Sequence, residues 1–140
     1  MNRLHPIEAS LPHIIAAADS KDTALLIADA GVLTQRLDLL TQVFPDGTRH
    51  ALAIKTNPHK QMLATILAHG FDLEAASIEE VELALDAGAR PHNIVFDSPV
   101  KTRAEILQCS TFNGMQVNAN MLSELQRYCL LYTSPSPRDS

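Results

Sequence analysis

The chain has 140 residues and a mass of 15.3 kDa, with 46% hydrophobic and 19% charged residues, too apolar for a disordered polymer and sufficient for one domain's core. Eleven Lys and Arg against sixteen Asp and Glu give a formal net charge of −5; no basic run is available to neutralise a phosphate backbone, so nucleic acid is not an expected partner. No apolar run approaches the ~20 residues of a membrane span, the first ten residues lack a signal peptide's hydrophobic stretch, and Cys109 and Cys129 form neither a CxxC pair nor a His-bearing cluster. These features point to a cytoplasmic chain without membrane segment, disulfide framework or metal site.

Residues 1–22 read as an N-terminal extension. Ala24–Ala28 is predicted as a strand and Val32–Phe44 as a helix with Leu33, Leu37 and Leu40 on one stripe, followed by a Pro45-Asp46-Gly47 turn. From Ala51 onward one arrangement repeats: a short apolar run, a polar turn with a helix-start signal, an amphipathic stretch, and usually a glycine. The runs begin near Ala51, Phe71, Asn93 and Met115, a spacing that admits one strand, one helix and two short loops.

Each unit carries its own punctuation. Asn57-Pro58 predicts an N-cap followed by proline at the first helical position, with Met62, Leu63, Ile66 and Leu67 on one face and Gly70 closing the helix. Ser77-Ile78-Glu79-Glu80 has capping-box form ahead of Val81, Ala84 and Leu85, and Gly88 ends that unit. Thr102-Arg103-Ala104-Glu105 repeats the signal before Ile106 and Leu107, and Asn120 is the expected cap of a fourth helix bearing Met121, Leu122 and Leu125. Four βα units of parallel sheet fit either a doubly wound fold or half of an eight-unit barrel, and periodicity does not choose between them.

The segment 23–127 forms the credible domain. Residues 128–140 are expected to be a non-native tail: Cys129–Ser140, CLLYTSPSPRDS, loses the pattern, carries no evident helix or strand signal, and resembles translated sequencing-adapter read-through. The Ser134–Pro137 stretch is accordingly not read as a recognition motif.

In a predicted strand His50–Thr56, Ala51, Ala53 and Lys55 share one face and Leu52, Ile54 and Thr56 the other. Lys55 then stands at the strand's C-terminal end beside small residues, on the edge where parallel α/β folds build their sites. Taken alone, a lysine there is as compatible with a solvated charge. Asp97, Ser98 and Lys101 fall on the same edge after the third strand, where surface-turn chemistry explains them equally well. His59 reads as a solvated helix residue, and Cys109 as a small packing residue with no base nearby in sequence.

The segment Ala51-Leu52-Ala53-Ile54-Lys55-Thr56-Asn57-Pro58 resembles the A-V-K-A-N-P stretch of fold-type III pyridoxal-phosphate enzymes, the group of ornithine, arginine and diaminopimelate decarboxylases and alanine racemase. Thr23–Val32 is similar to that family's T-P-L-Y-V-Y-D opening, and Glu74–Glu80 to its D-x-A-S-x-x-E. Ile94–Thr102 is similar to its I-x-x-x-x-P-x-K stretch, and Gln116–Leu125 to its N-x-D-x-x-x-E-L segment. The likeness runs from Thr23 to Arg127 with its motifs in order.

The resemblance implies an α/β fold, the N-terminal part of a pyridoxal-phosphate-binding (β/α)8 barrel with about four units present. It implies that Lys55 holds pyridoxal 5′-phosphate as an internal aldimine, a role suited to an amine that desolvation in an apolar strand keeps neutral. Glu74, Ser77 and Glu80 are the further cofactor-binding residues it suggests. Glu74 stands where the family's decarboxylases carry an aspartate, one methylene shorter; Ser77 and Glu80 already have a complete capping role. Because Lys55–Lys60 contains no tyrosine of the kind racemases carry, amino-acid decarboxylation is the first expected activity. Racemisation, or a non-catalytic pyridoxal-phosphate-binding or regulatory homologue, is the alternative. The same likeness implies a small amino-acid substrate and a homodimeric intact protein, with the fragment alone inactive.

Overall fold

Four short apolar runs satisfy their backbone groups by pairing with one another in sequence order. The computed structural model describes residues 6–133, in which β1 (Ala51–Ala53), β2 (Asp72–Ala75), β3 (Ile94–Phe96) and β4 (Gln116–Val117) form one parallel sheet of order β1-β2-β3-β4. The helices are α1 (Pro6–Ala17), α2 (Ala30–Val43), α3 (Lys60–Ala68), α4 (Ile78–Asp86), α5 (Arg103–Ser110) and α6 (Leu122–Thr133).

Register decides what each face carries. Ala51 pairs with Asp72, Ala53 with Glu74, Glu74 with Val95, and Val95 with Gln116, so these side chains share one face. Leu52, Leu73, Ala75, Ile94, Phe96 and Val117 take the other face. There they form the core with Leu33, Leu37 and Leu40 of α2, Leu63 and Ile66 of α3, Val81 and Ala84 of α4, and Cys109 of α5. Helices on one face and unreversed strand order exclude the doubly wound alternative, which needs helices on both faces and a switch point. The arrangement is that of consecutive units in a (β/α)8 barrel, with the helix-free face inward.

Local signals held where they were complete within a few residues. Ser77 Oγ accepts the Glu80 N–H at 3.3 Å, Thr102 and Glu105 form a full capping box, and Gly70 and Gly88 follow their helices with φ of 79° and 100°. Asp29 adds a cap the sequence reading omitted, accepting the Val32 N–H at 3.0 Å.

Other expectations are corrected. Ala24–Ala28 is irregular: no neighbouring strand offers it a ladder among the described residues, and a strand without a partner has no hydrogen bonds to hold it. The first strand ends at Ala53, and Ile54–Thr56 turns as one 3-10 turn closed by Asn57 N–H to Ile54 O at 3.0 Å. Asn57 is then extended, as a residue before proline prefers. Helix α3 therefore starts at Lys60 with His59 as its cap residue, and Asn57 Oδ1 accepts the His59 N–H instead of capping.

Asn120 does not cap α6 through its side chain. Its Nδ2 donates to Ser98 O at 3.0 Å, and the first turn of α6 closes on Met121 O. Met121, Leu122 and Leu125 are exposed, and α6 buries Glu124 and Tyr128 instead. The helix also runs through Thr133, into the segment expected to lack structure; Cys-Leu-Leu-Tyr contains no breaker, and extending a formed helix is far easier than starting one. Residues 134–140, including the Ser134–Pro137 stretch, lie outside the described residues. In the N-terminal extension, α1 is a helix the sequence reading did not anticipate.

Replacing Ser77 or Thr102 by alanine removes one acceptor for a helix N–H. Each substitution is expected to cost about 1 kcal/mol, read as a lower urea midpoint at unchanged slope in the full-length protein. No change in midpoint would mean that water caps these helices equally well.

Candidate functional site

Two edges of the inner face carry different chemistry. At the N-terminal edge, Arg49 precedes β1 and spans the sheet: Nε donates to Asp72 Oδ2, Nη2 to His92 O, and Nη1 to Gln116 Oε1 at 3.2 Å. Asn93 Nδ2 donates to the other Asp72 oxygen at 2.9 Å. Asp72 is buried, so its charge is acceptable only because both oxygens have donors. This network closes the sheet edge remote from Lys55 and gives Asp72 a structural role.

At the C-terminal edge, Lys55 sits on the 3-10 turn that follows β1 and is exposed. The desolvating strand environment expected for it is not present: the strand ends two residues earlier, and the turn lifts the side chain clear of the core. Its amine has no hydrogen-bond or ion-pair partner among the described residues. Ala51 and Ala53 beneath it leave the inner face open, and Glu74, half-buried, is the register partner of Ala53 on the adjacent strand. The structure thus places a free amine on the turn after β1 and a carboxylate on the adjacent strand β2.

Ser77 and Glu80 sit at the turn leaving β2. Glu80 Oε2 accepts the Ala76 N–H at 2.7 Å while Ser77 caps α4, so both are engaged in shaping the strand-to-helix turn beside Glu74. His59 is exposed at the start of α3. Cys109 is buried in the core, and burial, aided by Glu105 and opposed by Lys101, pushes its thiol up to about 11. That makes it a poor nucleophile. No group of three or more His, Cys, Asp or Glu side chains could hold a metal ion among the described residues, and no helix among them is long and apolar enough to cross a membrane.

Lys101 is the largest departure from the surface-turn expectation. It is fully buried, its Nζ donating to Ser98 O at 2.7 Å and to Glu124 Oε1 at 3.1 Å, and it lies 5.5 Å from the Phe96 ring centroid. Glu124 Oε2 accepts the Asn120 N–H at 2.8 Å. Burial would raise the Glu124 carboxyl, but the Asn120 N–H and the Lys101 ammonium outweigh it and hold the group below the ordinary carboxylate range. The pair ties the loop after β3 to the first turn of α6, and Asn120 Nδ2 to Ser98 O ties that loop to the one after β4. The signal for it was present as the P-x-K and E-L spacings, but two charges 23 residues apart announce no pairing until topology brings them together.

Residues 31–136 match the family model described as "Pyridoxal-dependent decarboxylase, pyridoxal binding domain". The chain belongs to this decarboxylase family. It is 31% identical over 84 residues to diaminopimelate decarboxylase of Zymomonas mobilis, covering 60% of this chain and 20% of that protein. It is also 31% identical over 81 residues to the chloroplastic ornithine decarboxylase of Nicotiana glauca, covering 58% and 18%. Among solved structures, the lysine/ornithine decarboxylase of Vibrio vulnificus complexed with putrescine superimposes with a TM-score of 0.73 at 28% identity, over 90% of this chain and 34% of that one. The chain spans about a fifth of the length of these curated relatives and about a third of that solved structure. The four units are therefore the N-terminal part of the family's pyridoxal-binding barrel domain.

Lys101→Met alone leaves Glu124 buried without its cation and is expected to cost about 3–5 kcal/mol. The double variant Lys101→Met/Glu124→Leu should recover most of that loss in urea unfolding. Because the folded Glu124 carboxyl is held low, its contribution is complete above the ordinary carboxylate range and is lost as pH falls through the lowered value. In the double variant, stability should fall less steeply with acid; an unchanged acid limb would contradict the pairing.

Proposed function

We propose that the full-length protein is a pyridoxal-phosphate-dependent amino-acid decarboxylase, a carboxy-lyase, with Lys55 as the residue that holds the cofactor. The observation that carries the reading is a partner-free lysine amine at the C-terminal edge of β1, in a chain of the pyridoxal-binding family. The residues present fit that group: an exposed amine can react with an aldehyde, and alanines on the inner face leave room above the sheet. When bound, pyridoxal phosphate supplies an electron sink for negative charge developing at the substrate's Cα.

The chain's own residues supply placement and charge. Lys55 fixes position by its anchorage on a hydrogen-bonded turn at the end of β1. Glu74 brings a carboxylate to the adjacent strand, where it can accept hydrogen bonds from a group held at that edge. Ser77 and Glu80 hold the turn after Glu74 through the α4 cap, and so act on the site through backbone position. Decarboxylation is favoured over racemisation by the relatives matched, which are decarboxylases, and by the absence of a tyrosine between Lys55 and Lys60.

The substrate is proposed to be a small amino acid, the intact protein a cytoplasmic homodimer, and the four units by themselves inactive. In support of the last, half a barrel leaves β4 and the exposed Leu122 and Leu125 of α6 without the next unit. Borohydride reduction of the full-length protein with pyridoxal phosphate, followed by peptide mapping, is expected to place the pyridoxyl group on Lys55. Lys55→Ala should abolish the label and leave unfolding within about 0.5 kcal/mol, since the side chain is exposed. A label on another lysine would contradict the reading.

A further inference from the structure

Lys101 and Glu124 are charged and almost fully buried, with side-chain exposures of 0% and 5%, yet such a pair adds little net stability over apolar side chains of similar size. What it adds is fixed geometry. Lys101 Nζ donates to Ser98 O at 2.7 Å and to Glu124 Oε1 at 3.1 Å, Glu124 Oε2 accepts the Asn120 N–H at 2.8 Å, and Asn120 Nδ2 donates back to Ser98 O at 3.0 Å. The bonds close a ring through Ser98, Lys101, Glu124 and Asn120, so no member can shift without breaking a bond to the next.

The ring holds the end of β3. Asp97 N–H donates to Ala75 O at 2.8 Å and Asn118 N–H to Phe96 O at 3.0 Å, so the ladder runs on past β3 as far as the ring. Alternation from Val95 puts the Asp97 side chain on the inner face, the face that carries Glu74. Its Oδ1 is shielded from solvent and has no hydrogen-bond partner among the described residues, a rare state because the group forfeits its hydration without replacement. A small backbone rotation would return that oxygen to water. Two bonds on Ser98 O, one residue further on, oppose the rotation, and Ser98 Oγ adds a third constraint by donating to Val100 O at 2.9 Å.

β3 lies two strands from β1, roughly 10 Å away at ordinary strand spacing, so the backbone that the ring pins faces a group held at Lys55 across Glu74. We infer that Lys101 is a positioning residue of the cofactor site: through the buried ring it fixes the rim at Asp97 and Ser98, and its removal loosens cofactor binding even where stability is restored. The inference rests on the proposal that Lys55 holds the cofactor. Lys101 itself touches neither Lys55 nor the inner face and acts through the Ser98 carbonyl.

The test titrates pyridoxal phosphate into the full-length protein freed of cofactor, followed by cofactor absorbance, with urea unfolding and amide hydrogen exchange on the same samples. Lys101→Met/Glu124→Leu is expected to keep a urea midpoint near that of the unaltered protein while its cofactor dissociation constant rises about tenfold and the Asp97 amide exchanges faster. A purely structural pair would return stability and affinity together, so cofactor affinity within about twofold of the unaltered protein in the stable double variant overturns the inference. Asn120→Ala, at an exposed position, keeps the ion pair and removes one bond to Ser98 O. It is expected to weaken the cofactor about threefold at an unchanged midpoint; no weakening overturns the inference even if the double variant fails to fold. Borohydride labelling of the unaltered protein reports on Lys55 separately. A label on another lysine contradicts the proposed function, whereas a labelled Lys55 with unchanged affinity in the variants contradicts the positioning role alone.

Discussion

Parallel pairing with a two-residue alternation is the constraint on which the structure depends. Once Ala51, Ala53, Asp72, Glu74, Val95 and Gln116 are in register, the large apolar side chains of the intervening positions have one destination, the helices, and the small and polar ones have the other. A one-residue slip of β2 would put Leu73 on the inner face and Glu74 among the helices, burying a carboxylate among apolar side chains. The hydrophobic pattern therefore fixes the inner face indirectly, by making every other assignment costly. The chemistry at the C-terminal edge is a by-product of that assignment.

Two polar clamps hold the sheet at opposite edges. Arg49 gathers Asp72, His92 O and Gln116 on the N-terminal side, and on the C-terminal side Lys101 joins the loop after β3 to Glu124 of α6 while Asn120 joins it to the loop after β4. The Arg49 side chain is half exposed, and a buried pair such as Lys101–Glu124 contributes little net stability when compared with well-packed apolar substitutes. What these clamps contribute is position: apolar packing against helices tolerates small shifts, whereas directional bonds to two or three fixed partners do not. The edge proposed to hold the cofactor at Lys55 is the one whose loops are tied in this way.

Legibility in the sequence followed the range of the interaction. Ser77 and Thr102 were readable as caps because donor and acceptor lie within three residues, and the helix and strand rhythm from Ala51 onward was readable because burial on one side imposes period. Strand length was less so, because the turn at Ile54–Thr56 is closed by a backbone bond that no residue type announces. Ala24–Ala28 has strand composition, but composition supplies no partner. The buried state of Lys101 and the crossing role of Asn120 depend on two loops meeting, which sequence spacing does not encode. Lys55 was placed at the C-terminal end of β1 by its position in the apolar run, although its exposure on a turn differs from the apolar strand expected; the family likeness, more than geometry, singled it out.

The central claim is that one edge of this sheet, organised around Lys55, holds pyridoxal phosphate. A crystal structure of the full-length protein grown with pyridoxal phosphate tests it most directly. The account predicts continuous density from Lys55 Nζ into the cofactor, lying over Ala53 with Glu74 and Asp97 at the same rim. Cofactor bound elsewhere while Lys55 remains free in solvent would contradict it.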